Sequence, residues 1–166
     1  MPRNGKLIIN GDDKNIQDLV KRGYWSEIES FGYQEKCDWR AKLEKKNNLE
    51  ISNKSSCTYK KEWKLDGEYN IENALGAIAA ANVIGISPEN SLQSLTKFAG
   101  VKRRFEYVGN FSDIIIYDDF AHHPTSIYKT IRDIMKIYPN NSISVSIEMR
   151  SNTMKSGVYN KRLLQE

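Results

Sequence analysis

The sequence predicts an α/β protein, and three observations lead to that fold class. A short apolar run, "LII" at residues 7–9, ends in the polar turn "NGDD", as buried strands of α/β sheets do at their carboxyl ends. Residues 67–86 carry apolar and small side chains at helical spacing. A second apolar run at 114–117 leads through a polar segment into another helical pattern, which is the strand, loop and helix order of an α/β unit.

The first third of the chain predicts a strand, a helix and hairpins in that order. The strand is Leu7 to Ile9, and a helical pattern over residues 14–22 follows, with Gly23 as its stop. Residues 24–33 return toward a strand or loop. Residues 37–66 are polar with widely spaced apolar residues, which predicts antiparallel hairpins.

Two helices are predicted next. Apolar and alanine side chains on one face predict the first helix over residues 70–84, with Asn70 or Asn73 as its N-cap and Gly85 as its end. The alanine run would let this helix approach a neighbour closely. The stretch "SPENSLQSLTKF" at 87–98 predicts a second helix that begins with a serine cap and a proline in the first turn.

The pattern changes near residues 100–104, and the remaining elements predict a second α/β part. A strand that turns at Gly109 pairs with the strand Ile114 to Tyr117 as a hairpin, a helix covers 126–137, and "SISVSI" at 142–147 predicts a further strand. This is a βαβ unit without most of its sheet. Such a small parallel sheet cannot be covered on both faces, so the chain is expected to be a piece of a larger α/β enzyme or to work with a partner.

Composition excludes several classes of protein. The 166 residues carry a formal charge of only +4, spread along the chain without a one-sided basic stripe, so no nucleic-acid partner is expected. No apolar run is long enough to span a membrane and no signal peptide is evident, which predicts no membrane partner and a cytoplasmic location. Cys37 and Cys57 lack CxxC spacing, which excludes a zinc knuckle and predicts two free thiols.

The stretch "YDDFAHHPTS" at 117–126 is the main candidate for a functional site. It follows a predicted strand and opens a predicted helix, and ligands of α/β proteins bind at such positions. Adjacent His122 and His123 diverge in an extended segment, which disfavours one metal ion held by both. A metal site made of Asp118, Asp119 and one histidine stays open as an alternative, although we assign no residue as a metal ligand.

Three stretches together carry a family resemblance. "GEYNIENALGAIAAANVIGI", "FAGVKRRFE" and "YDDFAHHPTS" occur in the order and spacing typical of the Mur ligases, the ATP-dependent amide-forming enzymes of peptidoglycan synthesis. The resemblance implies that residues 1–104 are the back part of the central ATP-binding domain. It implies that residues 105–166 are the front part of a Rossmann-like C-terminal domain, and that the N-terminal part of the enzyme is missing.

The resemblance also assigns roles to residues of this chain. Asn70 matches an asparagine that contacts adenine, a task that suits a side chain with a donor and an acceptor side by side; its usual histidine neighbour is replaced by Tyr69. Arg104 matches an interdomain arginine that reaches the ATP phosphates. Asp119 matches an aspartate facing the ribose and phosphates. The catalytic residues implied are Arg104, Asp119, His122 and His123, and those implied to bind the nucleotide are Asn70, Arg104 and Asp119.

The segment after the last predicted strand is implied to face the amino substrate, through Arg150, Ser151 and Asn152. ATP and Mg²⁺ are the implied cofactors. No G-x-x-x-x-G-K-[ST] motif occurs in the 166 residues, so the phosphate-binding loop and the magnesium ligands are expected outside them.

Within the family, "FAHHPT", "RSNTM" and "GYWSEIESFG" most resemble the members that join UDP-N-acetylmuramate to the murein tripeptide L-Ala-γ-D-Glu-meso-diaminopimelate during cell-wall recycling. A fragment of a ligase with that reaction is the predicted function. Two alternatives stay open: a fragment of the sibling ligase that adds L-alanine to the same nucleotide sugar, and a non-catalytic nucleotide-binding remnant.

Overall fold

The computed structural model describes residues 4–44, 47–65, 67–148 and 152–157. The chain divides into two compact units, Met1–Ala99 and Gly100–Glu166, here called unit 1 and unit 2.

Unit 1 is a five-stranded sheet with helices packed on it. Its elements are β1 (Lys6–Asn10), α1 (Lys14–Val20), β2 (Glu27–Gly32), β3 (Trp39–Glu44), β4 (Asn48–Asn53), β5 (Thr58–Glu62), α2 (Glu68–Val83) and α3 (Pro88–Leu95). The strands lie in the order β1-β2-β3-β4-β5. The β1–β2 and β2–β3 pairs are parallel, and the β3–β4 and β4–β5 pairs are antiparallel. The predicted first strand and the predicted hairpins are confirmed.

The core of unit 1 lies between α2 and the sheet. Apolar side chains from both layers form one buried cluster: Trp39, Leu49, Ile51, Trp63, Ile71, Ala74, Leu75, Ile78, Ala79 and Leu92. Close approach of the helix depends on Gly76, because a Cβ built there would lie 3.1 Å from the ring of Phe31 on β2. The small side chains of α2 therefore set its distance from the sheet.

The two ends of α2 differ in how far the sequence predicts them. The helix begins two residues earlier than predicted, with Gly67 as an N-cap that makes no side-chain hydrogen bond, so the prediction of an asparagine cap is wrong. Asn70 already lies in the first turn, where its N–H donates to the Gly67 carbonyl oxygen at 3.1 Å. The predicted stop at Gly85 is confirmed. Gly85 has φ +87, and Ile86 N–H donates to the Ala81 carbonyl oxygen in a Schellman motif.

Unit 2 contains β6 (Glu106–Phe111), β7 (Ile114–Asp118), α4 (Pro124–Ile137) and the short α5 (Asn152–Lys155). The predicted hairpin and the following helix are confirmed, since β6 and β7 form an antiparallel two-stranded sheet. The turn predicted at Gly109 is wrong, because Gly109 pairs with Ile116 within the sheet and the chain turns at Ser112 and Asp113. The predicted strand at 142–147 is wrong, because no described strand pairs with this segment and a strand needs a hydrogen-bonded neighbour. Val145 and Ile147 in it are 51% and 41% exposed. None of the described helices has both the length and the apolar composition to cross a lipid bilayer.

Candidate functional site

The candidate site in unit 2 forms where β7 ends and α4 begins. Asp118 is the last residue of β7, and Pro124 is the first residue of α4. The five residues between them form a loop without regular secondary structure. The same loop contacts the residues that precede β6, because Phe120 N–H donates to the Arg103 carbonyl oxygen at 2.7 Å. Two stretches that are 14 or more residues apart in sequence thus meet at one place.

Asp119 holds these two stretches together through both oxygens of its carboxylate. Oδ2 accepts a hydrogen bond from Phe105 N–H at 2.8 Å, and Oδ1 accepts one from Ala121 N–H at 2.6 Å. Bonds from N–H groups to an ionised carboxylate are stronger than neutral ones. Asp119 therefore fixes the loop in addition to any contact it makes with a ligand.

Each of the two histidines makes a local hydrogen bond through its own Nδ1 atom, but one donates and the other accepts. His122 is exposed, and its Nδ1 lies 3.0 Å from the carbonyl oxygen of Phe120, which can only accept, so Nδ1 carries the hydrogen in this contact. His123 is the N-cap of α4, and its Nδ1 accepts from Thr125 N–H at 3.3 Å. The prediction that the His-Pro-Thr stretch starts a helix is confirmed. The catalytic roles of both histidines stay predictions.

Arg103 and Arg104 are adjacent but differ in their contacts. The Arg103 guanidinium donates through Nε to Asp118 Oδ2 at 3.0 Å and lies 5.5 Å from the centre of the Phe120 ring. Arg103 N–H also donates to a carboxylate oxygen of Glu106 at 2.6 Å. Arg104 is exposed, and within the described residues its guanidinium makes no hydrogen bond or ion pair. Of the two, Arg104 is thus the arginine whose guanidinium has no partner among the described residues.

The backbone on both sides of Arg104 adopts an uncommon conformation. Arg103 has φ +58 and Phe105 has φ +54, in the left-handed region that residues with a Cβ rarely occupy. The Phe105 ring is buried, with its centre 4.9 Å from that of Tyr117 on β7. Such strain persists only where the surroundings fix it, and it concentrates at functional sites. No sequence signal indicates this conformation, and the family resemblance singled out Arg104 but not Arg103.

A cavity of about 360 Å³ opens beside this loop, entirely within unit 2. Its polar lining includes Arg103, Asp118, Asp119 and His122, and its apolar lining comes from α4 and from the segment 143–148. The wrongly predicted strand therefore forms one wall of the cavity. The arrangement combines polar groups at a strand end with an apolar floor, as ligand sites in proteins commonly do.

Asn70 is the candidate site residue of unit 1. It is half-buried in the first turn of α2, and its backbone follows an N-cap that offers no side-chain oxygen. The Tyr33 hydroxyl, which comes from the segment after β2, donates to the carbonyl oxygen of Glu68 in the same turn at 3.0 Å. Tyr33 therefore anchors the turn that carries Asn70, a contact that the sequence did not indicate.

The residues predicted to face the amino substrate are only partly described. Arg150 and Ser151 lie outside the described residues, and Asn152 is the exposed first residue of α5. Among the described residues, no group of three or more His, Cys, Asp or Glu side chains could hold a metal ion. We therefore assign no residue of the described ranges to Mg²⁺.

Comparison with known proteins defines the class to which this fold and site belong. Residues 1–81 match the model of the family described as the Mur ligase middle domain. The chain belongs to the Mur ligase family, and residues 1–81 correspond to its middle domain.

Two kinds of ligase stand among the relatives. The chain is 35% identical over 161 residues to the UDP-N-acetylmuramate–L-alanyl-γ-D-glutamyl-meso-2,6-diaminoheptandioate ligase of Escherichia coli. That alignment covers 95% of the chain and 35% of the enzyme. The chain is 36% identical over 148 residues to the UDP-N-acetylmuramate–L-alanine ligase of Clostridium acetobutylicum. That alignment covers 86% of the chain and 32% of the enzyme.

A solved structure agrees with the first of these. The murein peptide ligase of Psychrobacter arcticus superposes with a TM-score of 0.70 at 35% identity, over 92% of this chain and 33% of that one. The chain spans about a third of the length of the relatives it matches.

Proposed function

We propose that this chain forms part of an ATP-dependent ligase that joins UDP-N-acetylmuramate to L-Ala-γ-D-Glu-meso-diaminopimelate. The observation that carries the proposal is the 35% identity to the Escherichia coli ligase over 95% of the chain. An alignment of that extent includes both units, and therefore both Asn70 and the loop after β7. The solved murein peptide ligase, at the same identity, supports it.

The proposed chemistry activates a carboxylate, because a free carboxylate is a poor acyl donor. The carboxylate of UDP-N-acetylmuramate takes the γ-phosphoryl group of ATP, which leaves ADP and an acyl phosphate. The amino group of the peptide then attacks the acyl carbon, an amide forms and inorganic phosphate leaves. Positioning and charge stabilisation are the main tasks of a protein in phosphoryl transfer.

The residues of this chain fit parts of that task. Asn70 offers an amide donor and acceptor that suit the edge of adenine. The exposed guanidinium of Arg104 has the geometry and charge to bind phosphate oxygens, since it presents a planar fork of donors. Asp119 keeps the Arg104 segment and the β7–α4 loop in register through its two backbone hydrogen bonds. His122 and His123 belong to the same loop, and we assign them no separate step.

The sibling ligase for L-alanine is the second candidate, favoured by the 36% identity to the Clostridium acetobutylicum enzyme. The two candidates differ only in the amino substrate, so one assay separates them. The full-length protein in which these residues occur is given ATP and UDP-N-acetylmuramate, with either the tripeptide or L-alanine, and phosphate release is measured. The proposal expects release that depends on the tripeptide. Release with L-alanine alone would establish the sibling activity, and release with neither would reject both.

A further inference from the structure

We propose that Arg103 is a positioning residue which, together with Asp118, fixes the backbone from which Arg104 reaches the phosphates of the nucleotide. The proposal rests on the proposed function and adds to it a residue that the family resemblance did not assign. Arg103 and Asp118 are hereafter called the latch pair.

The latch pair is engaged through backbone and side chain at once. The Arg103 side chain bonds to Asp118 at the end of β7, its N–H bonds to Glu106 at the start of β6, and its carbonyl oxygen accepts from Phe120 in the loop. An exposed ion pair contributes little by itself, and this one is 45% and 43% exposed. The three contacts join one residue to β7, to β6 and to the loop, so together they constrain the orientation of the segment.

The orientation that they define is a strained one. Arg103 and Phe105 both have left-handed φ values, and Arg104 lies between them. Neither flanking residue is glycine, so this conformation requires external contacts to persist. Arg103 obtains them from the latch pair and the Phe120 ring, and Phe105 obtains them from Asp119 and Tyr117. Without the latch, the segment would relax toward ordinary φ values and Arg104 would point elsewhere.

The alternative is that Arg103 is a second phosphate ligand beside Arg104. Its contacts oppose this reading. The Asp118 carboxylate and the Phe120 ring already engage its guanidinium, and a phosphate would have to compete with a carboxylate at 3.0 Å. The two arginines therefore divide the work, with Arg103 holding the segment and Arg104 meeting the ligand.

Trypsin tests the latch without reference to activity. Residues 102–104 are three consecutive trypsin sites that remain unchanged when Asp118 is replaced. Asp118→Asn removes the negative charge that pairs with Arg103. The control is Asp113→Asn, a change of the same chemistry in the turn of the same hairpin. We expect cleavage within 102–104 to rise by a factor of about two to five in Asp118→Asn, the range for an exposed ion pair. Unchanged cleavage, or an equal rise in the control, would overturn the latch.

Kinetics of the full-length protein test the positioning role. Arg103→Gln and Asp118→Asn should each raise the KM for ATP about two- to fivefold and leave the KM for UDP-N-acetylmuramate unchanged. Because both changes disrupt the bond within the latch pair, the double variant should be no worse than Arg103→Gln alone. Arg103→Lys keeps the charge and should recover part of the loss.

Additive effects of the two changes, or equal effects on both substrates, would show that the residues act independently or only on folding. Absence of ATP-dependent phosphate release from the wild-type protein would instead reject the proposed function. In that case the trypsin comparison still reports on the latch itself.

Discussion

Replacing each of the three tryptophans by phenylalanine isolates the contribution of one buried hydrogen bond in unit 1. Trp39 is 1% exposed, and its Nε1 donates to Glu29 Oε1 at 2.9 Å. Trp63 is 4% exposed, and its buried Nε1 has no hydrogen-bond partner in the described part of the chain. Trp25 is 75% exposed. Substitution by phenylalanine thus removes packing and a hydrogen bond at Trp39, packing alone at Trp63, and neither at Trp25.

The expected sizes follow from these environments. A hydrogen bond to a charged group contributes about 1.5–3 kcal/mol, and Glu29, which is 5% exposed, would keep the bond from Lys6 Nζ at 3.2 Å. Trp39→Phe should therefore lower the free energy of unfolding by about 1.5–3 kcal/mol more than Trp63→Phe does. Trp63→Phe loses packing but also removes an unsatisfied donor. Trp25→Phe should stay within about 0.5 kcal/mol of wild type.

Urea unfolding followed by tryptophan fluorescence is the appropriate assay. The only tryptophans of the sequence are at 25, 39 and 63, so the two that remain in each variant report on unit 1 alone. Equal destabilisation by Trp39→Phe and Trp63→Phe would refute the reasoning, because it would mean that the bond to Glu29 adds nothing beyond packing.

Three further predictions concern nucleotide binding, cysteine reactivity and the chain by itself. Asn70→Ala in the full-length protein should raise the KM for ATP more than the KM for the tripeptide, because it removes a hydrogen bond to adenine that contributes about 1 kcal/mol. Replacement of the exposed Asn73 on the same helix by alanine should leave the KM for ATP unchanged. Equal effects of Asn70→Ala on both substrates would contradict the adenine role. Burial raises the pKa of the Cys37 thiol above its ordinary value of 9.0, so iodoacetamide at pH 8 should modify the exposed Cys57 first. The stability that Cys37 contributes should be complete below pH 9 and should decline as the pH rises further. The variant Cys37→Ala should lack this decline. Residues 1–166 expressed by themselves should show no ATP-dependent phosphate release above an Asp119→Ala control, because their sequence contains no phosphate-binding loop. They should bind ATP with a Kd on the order of 1 mM. Turnover above the control would contradict the roles assigned to the residues.

Elements with strong local signals were predictable from the sequence. The helix α2, the hairpin β6–β7 and the start of α4 each follow from spacing, turn residues or a proline in the first turn, and all three are confirmed. These signals depend on neighbours in sequence, so a single chain is enough to show them.

Features that depend on distant partners were not predictable in the same way. The segment 142–147 has the composition of a strand, but a strand exists only where another strand pairs with it, and composition does not show whether one does. The N-cap of α2 was misplaced because asparagines inside a helix, here Asn70 and Asn73, carry the same local signal as a cap.

The site shows the same division. The stretch "YDDFAHHPTS" marked the loop by its polar residues at a strand end, and the structure brings Asp119 and Phe105 together there. The left-handed φ values around Arg104 have no sequence signal, since arginine and phenylalanine rarely adopt them. The part played by Arg103 is therefore visible only in three dimensions.

The central claim is that a carboxylate of the nucleotide sugar is activated as an acyl phosphate, and the fate of its oxygen tests this most directly. UDP-N-acetylmuramate labelled with ¹⁸O in the lactyl carboxylate is incubated with ATP, the tripeptide and the full-length protein, and the inorganic phosphate released is analysed by mass spectrometry. In the proposed reaction one carboxylate oxygen bonds to the γ-phosphorus and leaves with phosphate when the amine attacks. The account predicts one ¹⁸O in each phosphate released; phosphate without the label would contradict it.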